Sequence, residues 1–253
     1  DVKITTKCRL GTLPDDEVYE RLISSLEKSL VNLNMERVDL FLLHSQLRQD
    51  DFQLYTLNEH RETNTTSLSC YYNAVIPAFE RLKQEGKIGS WGIGGLGQNQ
   101  AILEALNHEI QPEAIQCVVN PLNSAGAIGY VDQDFDPQKI LTESQKVGIP
   151  ILGIRAVQAG ALTLKMDREP HPSGFDIRDF EDYDKAEPFR KLASEWKMNP
   201  STLAHRYALS AEKVSSVILG VKNRSELLDC IKAESLGELN QDQISTIDTA
   251  LSR

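Results

Sequence analysis

Cysteine is scarce and unpaired in this chain. Cys8, Cys70, Cys117 and Cys230 are its four, spread over 253 residues without a C-x-x-C spacing; this excludes a disulfide framework and a thiolate zinc site and points to reduced, buried thiols of a cytoplasmic protein. Long apolar runs are lacking too. The longest, such as Leu40–Leu43 and Val217–Leu219, are strand-sized, far short of the roughly 18 residues a membrane-spanning helix needs. No basic surplus exists: 27 Lys and Arg face 37 Asp and Glu, a formal charge of -10, so the chain has no dense cationic footprint for a nucleic-acid backbone, and an anionic ligand has to be held by local groups. Neither G-x-G-x-x-G after the first strand nor G-x-x-x-x-G-K-[ST] occurs, which weighs against a dinucleotide-binding open sheet and a P-loop. An initiator methionine is also missing. The chain opens at Asp1 directly into the β-rich Val2–Lys7, and a chain that opens inside a core strand is expected to continue upstream.

What is present is an alternation. Val18, Leu22, Ile23, Leu26, Leu30 and Leu33 recur at helical spacing behind the acidic turn Pro14-Asp15-Asp16, and the continuous apolar run Val38–Leu43 has the look of a strand buried on both faces. The pattern repeats with a helix over 71–84 and a strand over 90–93, a helix over 98–107 and a strand over 114–119, a helix over 137–146 and a strand over 149–154. Helices over 187–196 and 200–209 then lead to a strand over 214–219 and a helix over 225–232. Six β-then-α units start near residues 3, 38, 90, 115, 150 and 215. Strands alternating with helices imply a parallel sheet with right-handed crossovers. With the glycine fingerprints absent, the α/β class narrows to a (β/α)8 TIM-type barrel, one domain over residues 1–253, from which about two βα units are missing. The polar stretches 45–69 and 166–184 are expected to be loops, the former a lid or selectivity element on the catalytic face.

In such a barrel the active site gathers where strands end. Lys7 ends the first predicted strand and His44 the second. A lysine after a strand is ordinarily just solvated, and a histidine there often caps a carbonyl; their coincidence at one mouth is the signal. Trp91 and Trp196 are expected to pack in the core, and His60, His108, His171 and His205 have no metal-ligand spacing.

Those residues resemble the aldo-keto reductases over nearly the whole chain. Ile4-Thr5-Thr6-Lys7 is similar to the strand that carries that family's lysine, and Arg37–His44 to the one that carries its histidine. Leu82–Gly89 resembles a helix end and turn, Gly160-Ala161-Leu162-Thr163 a Gly-x-Leu-Thr segment, and Ser216–Leu227 the final strand and adenosine-phosphate loop. The resemblance implies hydride transfer between NADP(H) and an aldehyde, ketone, sugar or alcohol, with Lys7 and His44 catalytic. It implies cofactor contacts from Gln116, Arg155, Val157, Gly220, Val221, Lys222, Glu226 and Asp229. Arg155 is read either as a contact to a pyrophosphate or substrate anion or as half of a surface ion pair. Gly94-Gly95 stand where the family commonly has Ser-Asn, and the strand end Gly94–Gly97 is expected to offer backbone amides to a ligand. The family's aspartate and tyrosine precede its lysine strand and have no counterpart in the six residues before Lys7, which implies that the missing βα units are the first two. Tyr55, Tyr71 and Tyr72 do not match that tyrosine's context. Two further readings therefore stand beside the reductase: a barrel that binds the dinucleotide without turning it over, and a lyase in which Lys7 forms a Schiff base.

Overall fold

A computed structural model of the protein describes residues 2–53, 58–129 and 135–252. The chain divides into two compact units, residues 1–116 with 131–135 and 146–149, and residues 117–130, 136–145 and 150–253.

The first unit begins with β1 (Thr5–Cys8) and α1 (Val18–Leu33). Asp15, Asp16 and Glu17 form a 3-10 turn ahead of α1 and put negative charge at the positive end of its dipole. Val18, Leu22, Ile23, Leu26 and Leu30 are buried along one face, and Asn34, at φ 52, ends the helix in the left-handed conformation. Next come β2 (Val38–Leu43), β3 (Gln46–Arg48), α2 (Asn58–Asn64), β4 (Thr65–Ser67) and α3 (Leu68–Cys70); a π-helical turn, Tyr71–Val75, leads into α4 (Ile76–Gln84), then β5 (Ile88–Gly94), α5 (Asn99–Leu106) and the start of β6 (Ile115–Val118). β1, β2, β5 and β6 pair in that order, all parallel, with Cys8 level with Leu43, Leu43 with Ile93, and Gly94 with Gln116. Phe41, Phe79 and Trp91 are fully enclosed, each contributing about 1.5–3 kcal/mol through burial. Phe79 stacks on Trp91 with centroids 5.3 Å apart, and the indole Nε1 donates to Glu80 at 2.6 Å. Trp91 is thus a core residue turned toward α4.

The second unit takes the rest of β6, most of α6 (Pro137–Val147), β7 (Ile151–Ile154), α7 (Ile177–Lys185), α8 (Glu187–Glu195), α9 (Pro200–Leu209), β8 (Val214–Val217), α10 (Arg224–Leu236) and α11 (Gln241–Ala250). β7 and β8 are parallel, with a register irregularity between Ile151 and Leu152, and Val119 donates to the Ile154 carbonyl at 3.0 Å. Leu162, Phe189, Leu192, Leu203, Leu239 and Ile247 build a core against which Trp196 packs.

The parallel βα units are those of the α/β barrel class that the alternation implies. Two stretches expected to be loops are partly regular instead. Within 45–69, β3 and β4 form a parallel ribbon; residues 177–184 of the second stretch belong to the helix Ile177–Lys185, whose buried acids face inward, Asp179 to Arg155 and Arg168 and Asp182 to Gln158 and Ser124. No helix among the described residues is long and apolar enough to cross a membrane.

Candidate active site

Lys7 lies level with Leu42 in the β1/β2 register, and His44 is two residues beyond Leu42. Alternation along a strand therefore puts Lys7, Leu42 and His44 on one face. The ladder continues into His44, whose N–H donates to the Cys8 carbonyl at 2.7 Å. His44 is half-buried, while Lys7 and Arg9 are exposed. Burial, with a smaller contribution from Lys7 and then Arg9, holds the His44 pKa below its ordinary value, so at pH 7 the imidazole is neutral, with one nitrogen a donor and the other an acceptor.

Ser45 fixes what surrounds this pair. Its Oγ accepts from the amides of Leu10 and Gly11 at 2.8 and 3.0 Å, tying the segment after β1 to the segment after β2. Thr66 Oγ1 donates to the Gly11 carbonyl and Thr12 Oγ1 to that of Thr65, both at 2.9 Å. The expected lid is thus pinned to the frame through β4; residues 54–57, with Tyr55, lie outside the described residues. Tyr71 is fully enclosed, and burial raises its pKa; Tyr72 stacks on His108 at 4.4 Å.

The glycines that end β5 serve close backbone approach. A Cβ on Gly92 would sit 2.2 Å from the Ala114 carbonyl oxygen, and one on Gly95 would sit 2.3 Å from that of Gln116. The Gly95 amide donates to the same Gln116 carbonyl at 2.7 Å. It is therefore spent on the neighbouring strand, contrary to the expectation that it is offered to a ligand. Gln116 itself is buried.

In the second unit, the turn after β7 carries Arg155 and Val157. Arg155, Gln158 and Ala159 have φ of 57, 47 and 50, three non-glycine residues in the left-handed region at about 1–3 kcal/mol each. A buried polar cluster offsets that strain. Arg155 Nε donates to Gln158 Oε1 at 2.7 Å, and its Nη2 to Asp179 Oδ1 at 2.6 Å. Gln158 Nε2 donates to Asp182 Oδ2 at 2.7 Å, and that oxygen also accepts from Ser124 Oγ. Arg168 bridges Asp176 and Asp179, while Asn120 Nδ2 donates to the Arg155 carbonyl at 3.1 Å. The Val157 carbonyl accepts from Gly160 and Leu162. The readable trace of this cluster is the spacing of Asp176, Asp179 and Asp182, three apart, which on a helix places acids on one side.

Gly220, Val221 and Lys222 form an exposed turn before α10. Asn223 caps the helix by accepting from the Glu226 amide at 3.0 Å, and the Glu226 carboxylate accepts from the Lys222 amide at 2.8 Å and from Asn223 Nδ2 at 2.9 Å. Lys222 Nζ pairs with Asp167. Asp229 is turned away, accepting from Asn199 and Ser201. The two acids that sequence places beside Lys222 thus have partners of their own. All four cysteines are free and buried; burial pushes the thiols of Cys70 and Cys117 up to about 12.

The Aldo/keto reductase family model matches residues 1–252, running through both units. L-Galactose dehydrogenase of Arabidopsis thaliana is 24% identical over 255 aligned residues, covering 99% of this chain and 70% of that protein. An uncharacterized oxidoreductase of Bacillus subtilis, YqkF, is 24% identical over 231, covering 89% and 64%. Among solved structures, aldo-keto reductase AKR11C1 from Bacillus halodurans, in its apo form, superposes with a TM-score of 0.64 at 21% identity, over 97% of this chain and 70% of that one. At that identity the likeness is one of fold.

Proposed function

The chain belongs to the aldo/keto reductase family, whose chemistry is nicotinamide-dependent oxidoreduction, and from that premise we propose that it acts with NADP(H) on an aldehyde, ketone, sugar or alcohol. The observation that carries the reading is the register of β1 against β2, which sets Lys7 and His44 on one face at adjoining strand ends. A hydroxylated, sugar-like substrate fits best: the β3–α2–β4 insert beyond His44 is rich in Ser, Thr, Asn and Gln, and the Arabidopsis relative is named for L-galactose.

The donor chemistry of the second unit suits a phosphorylated dinucleotide. Lys222 presents an exposed ammonium on the turn before α10, and the acids nearest it in sequence, Glu226 and Asp229, are held by Lys222's own amide, Asn223, Asn199 and Ser201. Lys222 would hold the 2′-phosphate, with Gly220 and Val221 alongside, and Arg155 and Val157 would serve the pyrophosphate. When bound, the nicotinamide supplies or accepts the hydride.

The chain's own groups manage the oxygen. His44, neutral at pH 7, donates an N–H that orients a carbonyl oxygen. The Lys7 ammonium, with Arg9 just past the end of β1, supplies positive charge where an alkoxide develops. Titrating the chain with NADPH and with NADH by nicotinamide fluorescence, then adding aldoses and simple aldehydes, tests the reading. Tighter binding of NADPH and turnover with a polyhydroxylated carbonyl are expected; binding of neither dinucleotide refutes it.

A further inference from the structure

The turn after β7 stands in a conformation that its own residues resist. Arg155, Gln158 and Ala159 all lie at positive φ, and only one of the four residues from Val157 to Gly160 is a glycine. What overrides that resistance comes from two elements remote in sequence. Ser124 approaches from the segment after β6, and Asp179 and Asp182 from α7. Gln158 is fully enclosed, with Asp179 and Asp182 3% and 4% exposed. The arrangement is directional. Asp179 takes Arg155 Nη2 and Gln158 takes Nε, so the guanidinium is gripped along one edge and its Nη1 has no protein acceptor among the described residues. A guanidinium held on one edge presents the other for an anion, in a plane set by the grip.

We propose that Asp179 is a positioning residue for dinucleotide binding: acting through Arg155, and seconded by Gln158 and Asp182, it preforms the turn after β7 and aims the free edge of the guanidinium at the cofactor's pyrophosphate. The inference rests on the reading that this chain binds NADP(H) and that Arg155 serves the pyrophosphate. Asp179 and Asp182 touch no ligand in this scheme. Their contribution is preorganisation, since a side chain already locked in its bound geometry loses no freedom on binding.

The consequence is separable from general stability. Asp179→Asn keeps the shape of the side chain and loses the charge that fixes Arg155. NADPH and NADH affinity should both fall about tenfold, the size of one charge-assisted hydrogen bond, because both share the pyrophosphate. Adenosine 2′-monophosphate, which has the 2′-phosphate and no 5′-phosphate, should bind as it does to wild type. In an Arg155→Ala background, Asp179→Asn should cost no further dinucleotide affinity. Should Asp179→Asn fail to fold, Gln158→Gly makes the same measurement: glycine adopts a φ of 47 without strain, while the side-chain bond to Arg155 is deleted. Equal losses for adenosine 2′-monophosphate and the dinucleotides, or an undiminished effect of Asp179→Asn without Arg155, would overturn the positioning role. If Arg155→Ala weakens NADPH but neither Asp179→Asn nor Gln158→Gly does, the positioning role alone fails. Wild-type protein that binds no dinucleotide would remove the functional reading and this inference with it.

Discussion

Gly126 sits under the polar cluster with no room for a side chain. Its φ is 52, and a Cβ there would lie 2.0 Å from Asp179 Oδ1, 2.4 Å from Gln158 Nε2 and 2.9 Å from Arg155 Nη2. Gly126→Ala therefore imposes two costs. The left-handed backbone penalises a Cβ by about 1–2 kcal/mol, and pushing Asp179 off Arg155, a pair whose side chains are only 5% and 16% exposed, breaks a buried ion pair at about 3–5 kcal/mol. The sum, about 4–7 kcal/mol, corresponds to a melting temperature lower by roughly 10–25 °C at ~2–4 °C per kcal/mol for a chain of this size. Gly174 is the internal control. It lies in the same unit, its φ is 71, and a Cβ there meets nothing within 4 Å, so Gly174→Ala incurs the backbone term alone, roughly 2–8 °C. Circular dichroism melts of both variants against wild type make the comparison. Should they melt within about 4 °C of each other, the cluster carries no such energy and the strained turn needs another explanation.

Replacing Lys222 with Ala should weaken NADP(H) by about 1–2 kcal/mol while leaving NAD(H) unchanged, since the exposed Asp167 pair given up on binding is worth under about 1 kcal/mol; equal losses by fluorescence titration would mean that Lys222 does not meet the 2′-phosphate. Lys7→Met and His44→Ala should each cut turnover with dinucleotide affinity retained, and the double variant should be scarcely worse than Lys7→Met, because groups acting as a unit are strongly non-additive; fully additive losses in kcat/KM would separate them. Acid sensitivity should follow His44 and His205, both of which burial holds below the ordinary histidine value of 6.5. Between the folded pKa and 6.5 the unfolded chain binds more protons, so stability rises with pH there and is lost as pH drops below about 6.5. His205→Gln should flatten the urea midpoint against pH between about 7.5 and 5, and an unchanged slope would exonerate that histidine.

Period and punctuation in the sequence carry the main βα units because the residues that bury are also the residues that recur. Val38–Leu43 is apolar enough to be a strand in any context, and Lys7 and His44 stand out by following such runs. Other elements are settled by partners. Ile177–Lys185 has the polarity of a loop, and only the arrival of Arg155 and Arg168 at Asp179, and of Gln158 and Ser124 at Asp182, makes its acids an inward face. Gln241–Ala250 offers Ile244 and Ile247 as its apolar anchors; its signal is the capping box in which Asn240 and Gln243 satisfy each other's amides. β3 and β4, three residues each, are too short to show a period. The role of Gly95 is likewise invisible, since what demands a glycine is the carbonyl of Gln116, 21 residues away in sequence.

The crowding of Gly92 and Gly95 against the carbonyls of Ala114 and Gln116 bears on how this protein can diversify. At those two positions of β5 and its extension, any larger residue collides with main chain, which cannot retreat without breaking the ladder. Selection for a new substrate has no foothold there. The β3–α2–β4 insert is fastened at its strands, where the Leu47 carbonyl accepts from the Gln98 amide at 2.8 Å and the hydroxyls of Thr12 and Thr66 bond to main chain, while Glu59, His60, Glu62 and Thr63 of α2 are exposed and can be exchanged without moving a strand. New specificities in this lineage should accumulate on α2, and a library confined to the exposed Glu59, His60, Glu62 and Thr63 should yield altered substrate preference at a far lower rate of unfolded clones than one confined to residues 88–97.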